Sequence, residues 1–217
     1  MKTALIFGSS GLVGKKLLNQ IINNPNYTKI KIFVRSSPEI SYPKVEIINT
    51  DFKDFETIKN LIIGDDCFFC IGTTKKNSPD RNEYKRVELE LPKKIAQISK
   101  YNNVKSFIFV SSGFADPKNS GDYLKFKGLV EDEIKSLNFE KMGILRPSFL
   151  LGNRKEKRVG EKIGIFIFKL LSPFFIGPIK KMKPIDSEKV AKAMIKIAND
   201  NIKQTIFESN EISDLVR

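Results

Sequence analysis

The chain has 217 residues, with 38 Lys+Arg against 25 Asp+Glu, no His, no Trp and two Cys. That length fits one domain at about 150 residues per domain, and 41% hydrophobic residues with 17 Phe supply a full core, which excludes disordered and fibrous classes. Without His there is no Ser-His-Asp or Cys-His triad and no imidazole-ligated zinc, and two Cys complete neither a four-Cys metal site nor a disulfide framework. Chemistry must therefore come from carboxylates, hydroxyls, amines or a borrowed cofactor. The net charge of +13 is carried by lysines spread along the chain rather than gathered in a stripe, so no nucleic-acid partner is expected. No apolar stretch reaches the ~18 residues of a transmembrane span, and Gly8 interrupts the first apolar run too soon for a signal peptide. A cytoplasmic location is expected, as monomer or homodimer.

In chain order, apolar runs alternate with amphipathic stretches. Thr3–Phe7 reads as a buried strand, and Leu12–Ile22 as a helix with Leu12, Leu17, Leu18, Ile21 and Ile22 at helical spacing, stopped by Asn23-Asn24-Pro25-Asn26. Ile30–Val34 and Val45–Ile48 are the second and third strands. Asp54 caps a short helix ending near Gly64, and Asp66–Ile71 is a fourth strand. A long helix follows over Arg81–Tyr101, then a strand over Ser106–Ser111, a helix over Asp122–Leu137 and a sixth strand over Lys141–Leu145. From Pro147 onward the pattern loosens into a basic loop (Arg154–Arg158), an apolar segment (Ile163–Ile176) and a helix over Asp186–Ala198. Strands with no wet face, separated by helices, predict a doubly wound parallel α/β sheet, the Rossmann fold, in the order 3-2-1-4-5-6. Residues 1–217 are taken as one unit, with 1–146 as cofactor core and 147–217 as the substrate-side C-terminal part.

The first strand is followed by Gly8-Ser9-Ser10-Gly11-Leu12-Val13-Gly14. Gly8 permits the tight turn, Gly11 admits a pyrophosphate close to backbone, and Gly14 lets helix and strand pack. The amides and dipole at the helix start favour phosphate, which makes Ser9, Ser10, Leu12 and Val13 part of the expected cofactor contact. Straight after an apolar strand and opening an amphipathic helix, this GxxGxxG meets the context of a dinucleotide fingerprint. At the end of the second strand stand Arg35 and Ser36, with no carboxylate. An acid there would repel a ribose 2′-phosphate, whereas Arg35 attracts it, so NADP is expected in preference to NAD. Asp51 and Phe52, after the third strand, are placed to meet the adenine. Gly72, Thr73 and Thr74 end the fourth strand, where the carboxyl ends of a parallel sheet line the ligand crevice.

The fifth strand ends in Ser111-Ser112-Gly113, and the next helix carries Tyr123 and Lys127 four residues apart, on one face. A lysine beside a phenol stabilises phenolate, so Tyr123 can pass a proton to or from a carbonyl oxygen. Ser112 can hydrogen-bond that oxygen, and Lys127 can also reach a nicotinamide ribose. The expected catalytic set is Ser112, Tyr123 and Lys127, with Ser111 as the competing serine. Cys67 and Cys70 spell CxxC, but residues three apart on a strand sit about 10 Å apart, so both read as buried apolar residues.

With these motifs the chain resembles the short-chain dehydrogenase/reductase superfamily in its atypical GxxGxxG branch. Cys70-Ile71-Gly72-Thr73-Thr74, Tyr123-Leu124 with Lys127-Gly128, Arg146-Pro147 with Leu150-Leu151, and Arg154, Glu156, Arg158, Gly160 and Glu161 are similar to the Tat-interacting oxidoreductase family. The resemblance implies cofactor contacts at the Gly turn, Arg35, Thr73, Lys127 and the Pro147 segment, and catalytic roles for Ser112, Tyr123 and Lys127. The function expected is an NADP-dependent reductase or dehydrogenase of a small carbonyl or alcohol. The alternatives are a cofactor-sensing regulator without turnover, and a nucleotide-sugar epimerase or dehydratase.

Overall fold

A computed structural model describes residues 1–152 and 182–217. The loop Arg154–Arg158 and the apolar segment Ile163–Ile176 lie outside the described residues. Seven parallel strands form the sheet in the order β3-β2-β1-β4-β5-β6-β9. They are β1 (Lys2–Phe7), β2 (Tyr27–Val34), β3 (Val45–Asn49), β4 (Asp66–Phe69), β5 (Ser106–Val110), β6 (Lys141–Arg146) and β9 (Ile206–Glu208). A parallel two-stranded ladder of β7 (Leu150–Leu151) and β8 (Ile185–Asp186) stands apart. The first six strands keep the expected order 3-2-1-4-5-6. The seventh was not foreseen: β9 has three residues, too short to show any alternation, and it is held by pairing with β6 at Ile144↔Ile206, Leu145↔Phe207 and Arg146↔Glu208.

Period-two alternation along the strands divides the core into two layers. Ala4 and Ile6 face one layer together with α1 (Leu12–Ile22) and α6 (Ser187–Asn199). Leu5 and Phe7 face the other, which includes buried residues of α4 (Leu91–Tyr101) and α5 (Asp122–Ser136). The part expected on the substrate side thus also completes the sheet: Val190, Ala191, Met194 and Ile197 of α6 pack on the first layer, and β9 leads into α7 (Ser209–Leu215). Asp54 caps α2 (Phe55–Lys59), Asp80 caps α3 (Arg81–Lys85) and Asp186 caps α6, each accepting from an amide of the first turn.

The long helix expected over Arg81–Tyr101 is continuous but not uniform. Between α3 and α4 lies a π turn, Arg86–Glu90, closed by the Leu91 amide donating to the Arg86 carbonyl. Pro92 explains it. In an unbroken α-helix its missing N–H would leave the Glu88 carbonyl unpaired and its ring would crowd that oxygen. Widening the preceding turn relieves both, and single π turns of this kind often occur at functional sites.

Candidate nucleotide-binding and catalytic site

The carboxyl ends of β1, β2, β4 and β5 rest on a row of aromatic rings. Phe7 stacks on Phe33 with centroids 4.4 Å apart, lies 6.3 Å from Phe52 and 5.9 Å from Phe69, and Phe69 lies 6.0 Å from Phe109. Above β1 the chain turns through Gly8, whose φ of +88° belongs to glycine. A Cβ on Gly14 would stand 2.0 Å from the Gly8 carbonyl oxygen, so helix and turn approach as closely as the fingerprint requires. A Cβ on Gly11 would meet only the Gly8 oxygen, at 3.4 Å, and is otherwise open. Gly11 is also the N-cap of α1, and the first turn carries no side-chain cap and no acidic residue. Among the described residues no side chain caps the first amides of the helix and its first turn carries no carboxylate, which fits the phosphates of a dinucleotide. Ser9 is buried and Ser10 exposed.

At the end of β2, Arg35 and Ser36 are exposed. Among the described residues Arg35 makes no hydrogen bond or ion pair. Nearby, Arg86 forks onto Glu83 with two 2.7 Å bonds and donates to the Phe52 carbonyl at 3.2 Å. The hydrogen bonds from Arg86 hold the Glu83 carboxyl below its usual range against burial, with smaller pulls from Lys53 and Arg35. Phe52 is buried with φ +59°, a left-handed conformation fixed from both sides. Thr50 Oγ1 accepts the Phe52 amide and the Asp51 carboxylate accepts the Lys53 amide. One oxygen of Asp51 is thus engaged in the turn.

Beyond β4, the Thr73 hydroxyl pairs with Ser78 at 3.0 Å, and Thr74 organises a turn by accepting from Asn77 and Ser78. Gly72 is exposed. The Thr73 amide donates to Glu88 Oε1 at 2.5 Å. Beyond β5 the two serines diverge. Ser111 is buried and donates to Glu131 at 2.5 Å, in a cluster where Arg146 forks onto Glu131 and reaches Glu208 at 3.3 Å. Ser112 is half-buried, and among the described residues its hydroxyl donates to the neighbouring Gly113 carbonyl alone, at 3.3 Å. The buried Pro147 accepts the Gly113 amide and so backs the same loop.

Tyr123 opens α5 and is 39% exposed, while Lys127 one turn later is 3% exposed. The Lys127 ammonium lies 5.9 Å from the Tyr123 ring centre and 5.0 Å from that of Phe109. Its Nζ stands 3.0 Å from Glu88 Oε2. Burial pushes the ammonium toward losing its proton, but Glu88, Tyr123 and Glu131 together outweigh burial, so its pKa is raised. Sequence reasoning missed Glu88, Glu131 and the partners of Arg146. The visible mark for Glu88 was Pro92 inside a helical run. Cys67 and Cys70 are both free thiols, and burial pushes the Cys70 thiol up to about 12.

The Gly-rich turn and the loops after β2, β4 and β5 all lie at the carboxyl edge of one parallel sheet, the edge where α/β sheets bind ligands. The model of the NAD(P)H-binding family matches residues 8–201. The chain belongs to that family. Within it, this NAD(P)H-binding chain is 32% identical over 164 residues to protein HTATIP2 of Rattus norvegicus, covering 74% of this chain and 67% of the relative. It is 30% identical over 174 residues to the mitochondrial protein FMP52 of Coccidioides immitis (strain RS), covering 74% and 71%. Among solved structures, the Bordetella bronchiseptica enzyme WbmH in complex with NAD+ superposes with a TM-score of 0.73 at 16% identity, over 96% of this chain and 75% of that one. That likeness shows the fold, a Rossmann-type sheet. No helix among the described residues is long and apolar enough to cross a membrane.

Proposed function

We propose that the protein is an NADP-dependent oxidoreductase that interconverts a small carbonyl compound and its alcohol, with Tyr123 as general acid and base. The observation that carries this reading is the Tyr123–Lys127 pair, one helical turn apart with the ammonium 5.9 Å from the phenol ring, on the helix that follows the Ser112 loop. The amides of Gly11, Leu12 and Val13 and the hydroxyls of Ser9 and Ser10 would hold the pyrophosphate. Asp51 and Phe52 would meet the adenine, and Gly72, Thr73, Thr74 and Pro147 would line the central riboses and nicotinamide. Arg35, with no partner among the described residues and Ser36 beside it, supports NADP, because a free guanidinium suits a 2′-phosphate. A bound nicotinamide dinucleotide supplies hydride transfer. Tyr123 gives its proton to the carbonyl oxygen in reduction and recovers it in oxidation. Ser112 Oγ donates to the same oxygen and fixes its position. Its assignment over Ser111 rests on Ser111 being committed to Glu131. Lys127 supplies the positive charge beside the phenol.

The test is NADPH oxidation across a panel of aldehydes and ketones. Turnover with at least one member is expected, falling about 10²-fold or more in Tyr123→Phe while NADPH binding survives. Full turnover in that variant overturns the assignment of the acid. Binding without turnover across the panel identifies a cofactor-sensing regulator, and tightly held cofactor with no net NADPH consumption identifies an epimerase. We place the protein in the cytoplasm as monomer or homodimer. The fungal relative is named mitochondrial, and cell fractionation decides between the two locations.

A further inference from the structure

One buried charge belongs to none of the expected motifs. Glu88 is 1% exposed and sits inside the π turn, facing the junction of three elements. One carboxylate oxygen accepts the Thr73 amide from the loop after β4 at 2.5 Å. The other forms an ion pair with Lys127 Nζ on α5 at 3.0 Å and, among the described residues, accepts no hydrogen bond of regular geometry. Both side chains of the pair are dry, at 0% and 4% exposure. Neither charge would survive there alone, because removing one partner of a buried pair strands the other. The groups facing Lys127 come from every side: Glu88 from the π turn, Tyr123 and Glu131 from its own helix, the Phe109 ring from β5 and the thiol of Cys70 after β4. That thiol is pushed up to about 12 by burial and stays neutral. Glu88 is thus the strongest of the groups that oppose the effect of burial on Lys127.

We propose that Glu88 is a positioning residue for the reactive set: its carboxylate holds the Lys127 ammonium beside Tyr123, ties it to the Thr73 loop, and keeps the lysine charged where water does not reach. Its consequence for catalysis rests on the function proposed above; its geometry does not. The π turn then has a purpose, since it aims the carboxylate inward.

The test is run first without ligand. Wild type, Glu88→Gln, Lys127→Met and the double variant are melted from about pH 7 to about pH 10. In wild type the raised pKa of Lys127 keeps its contribution constant below the unfolded value of 10.5. In Glu88→Gln, burial lowers the folded-state pKa below that value. The unfolded chain then binds more protons than the folded one, so stability rises with pH. The melting deficit of Glu88→Gln against wild type is therefore expected to be largest near neutrality and to shrink toward about pH 10. In the Lys127→Met background the Glu88→Gln change is expected to raise the melting temperature, because it removes a stranded carboxylate. A deficit constant with pH, or a deficit that persists in the Lys127→Met background, overturns the proposal. Where Glu88→Gln alone does not fold, folding of the double variant supports it and failure of the double variant overturns it. A second arm titrates NADPH into wild type and Glu88→Gln at both ends of the range. Affinity of the variant is expected to fall about 10-fold further than wild type at the alkaline end, through loss of the Lys127 charge. If wild type binds no NADPH, the proposed function fails, while the melts still decide the role of Glu88.

Discussion

Two lysine–carboxylate pairs, each with a buried carboxylate, mark opposite ends of the same parallel sheet. At the amino end, Asp66 accepts from Lys2 at 2.9 Å and from the Tyr27 hydroxyl at 2.6 Å. Asn199 donates to Tyr27 at 3.0 Å, and Lys2 also donates to the Ala198 carbonyl. The Lys2 side chain keeps 31% exposure, so its charge is still partly hydrated. Burial, with the neighbouring Asp66 charge adding to it, pushes the Tyr27 phenol far above its ordinary range, and it stays a neutral donor. At the carboxyl end, Glu88 and Lys127 are dry and meet only at their charged tips. The first cluster is a satisfied staple joining β1, β2, β4 and α6. The second couples elements at the edge where α/β sheets bind ligands, and its counterpart phenol, Tyr123, is left accessible. Similar chemistry thus serves stability at one end and, in our proposal, reactivity at the other.

That contrast yields opposite expectations for substitutions at the two ends. The largest is Tyr123→Phe: turnover falls about 10²-fold or more with the melting temperature almost unchanged. Asp66→Ala is expected to do the reverse. It strands Tyr27 and releases Lys2, costing about 3 kcal/mol, a fall of roughly 6–12 °C by thermal melt, with turnover per folded molecule unaltered. If Asp66→Ala lowers turnover as much as it lowers stability, the division between the ends breaks down. The Glu88→Gln melts come next, with a pH-dependent deficit that the Asp66 cluster should not show. The smallest effect is expected at Arg35→Ala, which weakens NADPH by about 10-fold and leaves NADH nearly unchanged, through loss of one charge-assisted contact.

The framework was legible because six apolar strand runs alternate with amphipathic helices. Asp54 announced its helix as an N-cap, and the GxxGxxG announced the cofactor family through the steric needs of Gly8 and Gly14. What escaped was set by tertiary context. β9 exists because β6 offers an edge, not because three residues favour extended backbone. Glu88 faces inward because Pro92 widens the turn before it, which shifts the helix register that periodicity assumes. Ser111 and Ser112 are chemically identical in sequence, and only the Glu131–Arg146 pair distinguishes them in space. Lys127, expected to face the phenol and a ribose alone, shares its charge with a carboxylate that no local pattern advertises.

The most direct measurement is a calorimetric titration of the wild-type protein with NADPH, NADP, NADH and NAD at one salt concentration. The 2′-phosphorylated pair is expected to bind more tightly, by about 10-fold or more over its counterpart, if Arg35 meets that phosphate. Tighter binding of NADH and NAD would contradict the NADP assignment, and no binding of any of the four would contradict the proposed function itself.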